Sequence, residues 1–277
     1  MRKSIILLLP VLLLLTACNL PRTTPTPAAE AVATSVARTL TAQPTVSATA
    51  TTAAPHSATP SAASATATVT PTATLTATPI PEDPKASLGD PSWKNKLDNG
   101  KSFGLDAEGY DDGNTRFVVS NGAMVITSYS ANGYRGWRLA PSLPQNFYLE
   151  GTFKTQNCAG NDQYGLVFKA PDYNDGRGYY FGITCDGRYF LTRWDNNGTT
   201  NVLEPVESNE IRAGAGQTNY FGVWAQGNRI MLYANGKLLK EVSESALNGD
   251  KFGVFISGYA VPGFTVELDE IAYWNLP

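Results

Sequence analysis

From residue 116 to residue 273, the sequence is a succession of short segments rich in β-branched and aromatic residues, separated by Gly, Asn and Asp. Such segments, with turn residues between them about every 8 to 12 positions, favour an antiparallel β-sandwich. No segment carries a long helical stripe. We therefore predict eleven strands, at residues 116–119, 123–127, 148–155, 164–169, 179–185, 189–194, 220–225, 230–234, 238–242, 252–256 and 264–273.

A break in composition separates this region from the chain before it. Of the 57 residues from Thr23 to Pro79, 47 are Thr, Ala, Pro or Ser, none is aromatic, and Glu30 and Arg38 carry the only charges. Such a segment cannot bury enough apolar surface to offset its conformational entropy. We expect a disordered linker over residues 18–88 and one folded domain over residues 89–277, which is long enough for a sizeable core.

The start of the chain has the pattern of a secretory signal over residues 1–17: two basic residues, an apolar run and then small residues. The apolar run is shorter than the roughly 20 residues that a membrane-spanning helix needs. Leu15-Thr16-Ala17-Cys18 resembles the lipobox of bacterial lipoproteins, whose cysteine is lipidated and becomes the first mature residue. The resemblance implies export, with Cys18 anchored to a bacterial membrane and the domain on the extracytoplasmic side. An ordinary signal peptide with an incidental cysteine is the alternative.

The charge and histidine content of the predicted domain exclude several functions. Residues 82–277 contain 17 Lys and Arg against 23 Asp and Glu, a net charge of −6. An acidic domain without a basic patch argues against nucleic-acid binding. The single histidine, His56, lies in the linker. The domain therefore cannot contain a Ser-His-Asp triad, a Cys-His pair or a His-ligated zinc site.

Three turn sequences lie between strand-like segments at the spacing of two-residue hairpin loops: Asp186-Gly187, Gly227-Asn228 and Asn235-Gly236. Because side chains alternate along a strand, each loop also assigns residues to one of two faces. Around Gly227-Asn228, this register turns Phe221 and Val223 inward and turns Trp224 and Tyr233 outward.

The Asp186-Gly187 loop predicts a register in which Tyr179 faces Trp194 on the inward side and Tyr180 faces Arg193 on the outward side. Aromatic rings can stack on sugar rings while charged groups bind hydroxyls. Ordinary packing under a loop or a second sheet is the alternative for each residue. The candidate carbohydrate-binding residues are Trp224, Tyr233, Tyr180 and Arg193.

Two cysteines, Cys158 and Cys185, remain after Cys18. In an exported protein an even pair favours a disulfide. If strand 164–169 pairs antiparallel with strand 179–185, Cys185 lies near Tyr164, where Cys158 leaves the preceding strand. We predict a Cys158–Cys185 disulfide, with two free thiols or a metal or redox role as alternatives.

Four segments, Asp162–Lys169, Tyr179–Ile183, Asp186–Tyr189 and Gly227–Gly236, resemble the concanavalin A-like superfamily. They are similar to laminin-G-like modules and to related domains of bacterial surface proteins and 3-keto-disaccharide hydrolases, and residues 264–271 are similar to the closing strand. Over about residues 90–277, the resemblance implies an all-β, two-sheet antiparallel jelly-roll sandwich. It also implies frequent carbohydrate binding, sometimes with calcium, and glycoside hydrolysis in some branches.

Two groups of acidic residues are the candidates for a glycosidase site and for a calcium site. Laminarinase-like enzymes of this fold carry Glu-x-Asp-x-Glu, but here Glu270 follows Asp269 one residue early, so we expect a buried structural Asp269 with exposed neighbours rather than catalysis. Calcium is the cofactor that the sequence suggests, because residues 172–176 form a loop with three side-chain oxygens that could bind it. A solvated hairpin loop is the alternative reading of that segment. The candidate ligands are Asp172, Asn174 and Asp175.

The interpretation we favour is a non-catalytic, carbohydrate-binding domain on a stalk at the cell surface. Its expected partners are the membrane, through the lipid anchor, and a glycan or a surface protein. A protein-interaction or structural surface domain is one alternative, and a glycoside hydrolase-like enzyme is the other.

Overall fold

The computed structural model describes residues 82–277, and the proposed signal peptide, Cys18 and most of the linker lie outside them. In the described part, short helical turns occur at α1 (Lys85–Leu88) and at Lys101–Phe103. The strands are β1 (Trp93–Asn95), β2 (Tyr110–Asp111), β3 (Thr115–Ser120), β4 (Ala123–Ser128), β5 (Arg135–Ala140), β6 (Phe147–Thr155), β7 (Gln163–Ala170), β8 (Gly178–Thr184), β9 (Arg188–Asp195), β10 (Gly198–Glu207), β11 (Thr218–Gln226), β12 (Arg229–Ala234), β13 (Lys237–Ser243), β14 (Lys251–Ser257) and β15 (Phe264–Asn275).

The strands form two antiparallel sheets that pack as a jelly-roll sandwich, as the sequence predicts. The nine-stranded sheet has the order β13-β12-β11-β6-β15-β4-β3-β2, with β1 paired to β15. The six-stranded sheet has the order β10-β9-β8-β7-β14-β5. All eleven predicted strands are present, and β1, β2, β5 and β10 are additional. Among the described residues, no helix has the length and apolarity to cross a membrane.

A continuous apolar core fills the space between the sheets. Side chains of both sheets meet in it: the ring of Tyr164 on β7 lies 5.6 Å from that of Phe153 on β6 and 5.8 Å from that of Phe221 on β11, between centroids. All three side chains are essentially excluded from solvent. Burial of such large rings is the main stabilising contribution to a sandwich of this kind.

Two of the three predicted hairpins have the expected register. Gln226 pairs with Arg229 across Gly227-Asn228, and Ala234 pairs with Lys237 across Asn235-Gly236. Asn235 and Gly236 both have positive φ angles, 50° and 80°, as a type I′ turn requires. Phe221 and Val223 consequently point into the core, as predicted.

The register predicted around Asp186-Gly187 is wrong by one residue. Tyr179 pairs with Arg193 and Tyr180 pairs with Thr192, so the loop holds three residues, Cys185 to Gly187. The backbone N–H of Gly187, at φ 90°, donates to the Thr184 carbonyl, and the Thr184 hydroxyl accepts from the N–H of Arg188. A one-residue shift moves every side chain of β9 to the other face. Trp194 therefore lies on the outer face, and Arg193 does not lie beside Tyr180.

The Cys158–Cys185 disulfide is formed, with 5.5 Å between the two Cα atoms. It joins the β6–β7 connection to the β8–β9 loop. The Cys185 N–H also donates to the carbonyl of Asp162 at 3.0 Å. The antiparallel pairing of β7 with β8 brings the two cysteines to one end of the sheet, as expected.

Candidate functional site

The four candidate carbohydrate-binding residues do not come together. Trp224 and Tyr233 lie on the outer face of the nine-stranded sheet, whereas Tyr180 lies on the outer face of the six-stranded sheet, and the main core separates the two faces. Arg193 lies with neither of these two groups of aromatic residues. Its guanidinium pairs with Asp195 at 2.7 Å and with Glu244 at 2.9 Å.

The outer face of the nine-stranded sheet is covered around Trp224 and Tyr233. Tyr233 is 1% exposed, and its ring lies 5.9 Å from that of Tyr148, between centroids. Leu88 of α1 packs on this cluster. Lys85, in the same turn, pairs with the buried carboxylate of Glu150 at 2.7 Å. The end of the segment assigned to the linker thus lies over these aromatics.

The outer face of the six-stranded sheet carries two adjoining cavities of about 360 and 300 Å³. Both are lined by Arg135, Thr199 and Tyr259, and we call the combined depression the Arg135 groove. The larger cavity is also lined by Gly133, Trp137, Asp175, Gly176, Tyr180 and Trp194. The smaller is also lined by Gln163, Phe190, Thr192, Asn201, Glu204 and Pro205.

Buried aromatic side chains form the floor of the groove. Phe255 of β14 and Tyr180 of β8 meet edge to face at 5.1 Å between centroids. On the neighbouring strand, the ring of Phe190 lies across Gly182, where an added Cβ would fall 1.9 Å from the ring. Glycine at position 182 is thus what lets the floor close tightly. A tightly packed floor holds the side chains above it in fixed positions.

Exposed aromatic side chains flank the groove. Trp194 is 38% exposed and Tyr259 is 41% exposed. The loop that carries Tyr259 is held by Asp162, a fully buried residue whose carboxylate accepts the backbone N–H groups of Tyr259 and Ala260, each at 2.7 Å. The two rings thus present flat apolar surface to solvent beside the groove.

The polar centre of the groove is Arg135 on β5. Its Cζ atom lies 4.6 Å from the centroid of the Tyr180 ring and 5.8 Å from that of Phe255, so the guanidinium stacks on the floor. Burial raises the pKa of the Tyr180 phenol, which Arg135 opposes in part. The phenol stays protonated and donates to the carbonyl of Gly176.

The loop named as a calcium site is organised around an arginine. Arg177 pairs with Asp172 at 2.5 Å and with Asp175 at 2.6 Å, and the Asp172 carboxylate also accepts the backbone N–H of Asn174. The guanidinium therefore takes the place beside both carboxylates that a cation would need. No cluster of His, Cys, Asp or Glu suited to a metal is found within residues 82–277.

The acidic residues of β15 differ from expectation because the strand has a bulge. Leu268 pairs with Phe153 and Glu270 pairs with the adjacent Thr152, so Asp269 is an extra, unpaired residue. The bulge leaves Glu267, Asp269 and Glu270 all outside the core. Asp269 is exposed rather than buried, and partial desolvation together with Glu267 raises its pKa.

Sequence reasoning missed most of the Arg135 groove. Arg135 and Trp137 lie on β5, which is not among the strands predicted from the sequence. The alternation of Arg135, Trp137 and Leu139 on one face of this strand is the sequence pattern that could have indicated them. Trp194 was assigned to the wrong face by the register error. Tyr259 lies in the β14–β15 connection, where no local pattern indicates a site.

No protein family and no curated protein matches this sequence. Among solved structures, the carbohydrate-binding module CBM66 of Bacillus subtilis is 14% identical, with a TM-score of 0.41 over 67% of this chain and 98% of that one. The laminarinase catalytic domain of Thermotoga petrophila RKU-1 is 13% identical, with a TM-score of 0.43 over 67% of this chain and 97% of that one. The GH43 protein BlXynB of Bacillus licheniformis is 9% identical, with a TM-score of 0.46 over 68% of this chain, which spans 40% of BlXynB. At such identities the likeness is one of fold, and function must be argued from the groove.

Proposed function

We propose that the domain is a non-catalytic carbohydrate-binding module whose site is the Arg135 groove. The observation that carries the proposal is the pair of exposed rings, Trp194 and Tyr259, beside a cleft with an arginine and hydroxyl groups. Aromatic rings stack on the apolar faces of sugars, and a few fixed polar groups orient the hydroxyls. Of the four residues named from sequence, Tyr180 alone lines the groove.

A glycan array followed by affinity electrophoresis tests this proposal. Trp194→Ala and Tyr259→Ala should each weaken binding about fivefold or more, since one stacked ring contributes on the order of 1 kcal/mol or more. Tyr129→Ala is the matched control, because Tyr129 is equally exposed at 38% and does not line the groove. A protein that binds no glycan, or one whose binding is unchanged by both substitutions, would refute the proposal.

We further propose that Cys18 anchors the chain to a bacterial membrane and that the part of the linker before α1, residues 18–81, holds the domain away from the lipid. The lipobox-like sequence before Cys18 and the Thr/Ala/Pro/Ser-rich composition support this. The wild-type protein should partition into a detergent phase and incorporate labelled fatty acid. Cys18→Ser should do neither, and an unchanged partition of that variant would rule out the anchor.

Glycoside hydrolysis is the second candidate, favoured by the three carboxylates that the bulge leaves on one side of β15. Two of them are already paired, Glu267 with Lys154 at 3.7 Å and Glu270 with Lys94 at 2.6 Å. A hydrolase would release reducing ends from an oligosaccharide and lose this activity in Asp269→Asn without loss of folding. A carbohydrate-binding module would show no turnover in either form.

Calcium dependence remains a proposal from the resemblance and not from the geometry, because Arg177 already satisfies Asp172 and Asp175. The melting temperature with calcium and with a chelator measures it. A rise of several degrees with calcium, absent in Asp172→Asn, would establish a site in this loop.

A further inference from the structure

Arg135 differs from the other arginines of the described chain. Seven of the eight arginines in residues 82–277 donate to a carboxylate or a backbone carbonyl. The side chain of Arg135 has neither an ion pair nor a hydrogen bond among these residues, and its Nε atom is buried without a partner. A guanidinium carries five N–H donors in a planar fork, and leaving a buried one unpaired is costly.

A second unsatisfied group lies in the same groove. Thr192 on β9 is 7% exposed, and its Oγ1 atom is buried without a hydrogen-bond partner. Thr192 and Arg135 line the smaller cavity together. Two residues with an unpartnered polar atom thus line one cavity, which favours a ligand that carries acceptor atoms.

The acidic residues at the groove do not neutralise Arg135. Asp175 pairs with Arg177 at 2.6 Å, and Glu204 accepts the side-chain amide of Asn201 at 2.8 Å. Arg135 thus forms an ion pair with neither of them, although Glu204 lines the same cavity. A single free cation beside an anion suits one ligand carboxylate better than a run of them.

We propose that the Arg135 groove binds an isolated uronic acid residue within an otherwise neutral glycan. The sugar carboxylate accepts two parallel hydrogen bonds from the Arg135 guanidinium, the geometry that carboxylates and guanidinium groups share. Thr192 donates to the same carboxylate or to a neighbouring ring oxygen, and the sugar ring stacks on Trp194 or Tyr259. This inference rests on the proposed carbohydrate-binding function. The net charge of −6 over residues 82–277 opposes densely charged polymers.

The test compares, on one array with the full-length protein, neutral oligosaccharides, oligosaccharides with single uronic acid residues, and the latter after chemical reduction of the carboxyl to a primary alcohol. We expect binding to the single-uronate set, with a loss of at least about tenfold on carboxyl reduction, as for a charge-assisted hydrogen-bonded pair. Consecutive uronates, as in oligogalacturonate, should bind more weakly than single ones.

Three variants assign the effect to the groove. Arg135→Gln should lose at least about tenfold in affinity for the single-uronate set, and Arg135→Lys should lose less but still measurably, because an ammonium cannot form the paired bonds. Thr192→Val should bind more weakly while its melting temperature stays equal or rises, since it removes a buried hydroxyl that has no partner. Arg229→Gln, in an exposed pair with Glu241 on the other sheet, is the control.

The outcomes separate this inference from the proposed function. Binding of neutral glycans alone, or binding of uronates that survives carboxyl reduction, overturns the uronic acid assignment and leaves a carbohydrate-binding module. Binding of no glycan overturns both. An equal loss in Arg229→Gln and Arg135→Gln would mean that overall charge acts and not the groove, and this also overturns the assignment.

Discussion

Lys169 is the residue whose environment most conflicts with its charge. It is 4% exposed at the end of β7, and its Nζ atom donates to the carbonyl of Gly227 at 3.2 Å, with no carboxylate paired to it among residues 82–277. Burial lowers the pKa of its ammonium group. The charged form is therefore less favourable in the folded state than in the unfolded chain.

Lys169→Met should raise the free energy of unfolding by about 1 kcal/mol near neutral pH, because it removes a buried charge. The unfolded chain binds this proton more tightly than the folded one, so in the wild type the cost is full below the folded pKa and declines as pH rises toward 10.5. The advantage of the variant should shrink over the same range. Urea unfolding from pH 7 to pH 10 measures it, with the exposed Lys240→Met as control. A destabilised Lys169→Met would contradict the argument.

At the scale of elements, one extra residue in β15 lets apolar side chains on both sides of it face the core. Val266, Leu268 and Ile271 all point into the core, although strict alternation would turn residue 271 outward. The bulge at Asp269 absorbs the mismatch. Beyond it, Tyr273 packs on the core side against Trp93, with ring centroids 5.7 Å apart, and Trp274 packs on the outer cluster.

Deletion of Asp269 should be tolerated, because it removes the extra residue and keeps both flanking faces. We expect a loss of at most about 2 kcal/mol in unfolding free energy. Deletion of Ala272, the matched control on the same strand, should exchange the faces of Tyr273 and Trp274 and cost more than about 4 kcal/mol or prevent folding. Denaturant unfolding of both variants provides the comparison. Equal losses would mean that the bulge does not set the register.

At the scale of the whole molecule, the two outer faces of the sandwich differ in what covers them. Residues near the start of the domain lie over the nine-stranded sheet, where the indole N–H of Trp274 donates to the Gly89 carbonyl at 2.8 Å and Lys85 pairs with Glu150. On the six-stranded sheet, the outer cluster is also buried, but the Arg135 groove lies above it. The residues around Lys85 thus cover one outer face and leave the groove on the other.

The disulfide connects parts of the molecule that belong to different strand pairs. Cys158 and Cys185 are 27 residues apart, and on the chain-entropy model closing such a loop stabilises by about 3 to 4 kcal/mol. Cys158→Ala/Cys185→Ala should lower the melting temperature by about 10 °C. Glycan affinity at about 20 °C should not change, because neither cysteine lines the groove. Calorimetry of the wild type and the variant checks this, and an unchanged melting temperature in the variant would show that the bond contributes little.

The sequence by itself determined what depends on neighbours along the chain. Asn235-Gly236 fixes a hairpin because both residues accept positive φ, and alternation alone turns Phe221 and Val223 inward. The eleven strands and the pairing of Cys158 with Cys185 follow from similar local patterns and from the adjacency of β7 and β8.

The tertiary structure alone decided the register of β9 and the location of the groove. Asp186-Gly187 fits a two-residue or a three-residue loop equally well, and the choice depends on hydrogen bonds to Thr184 that form only when the hairpin closes. Whether Tyr233 or Trp194 is exposed depends on which face the residues around Lys85 cover. The tertiary structure also singles out Arg135, because the lack of a partner for its side chain is a property of the folded molecule and not of the sequence.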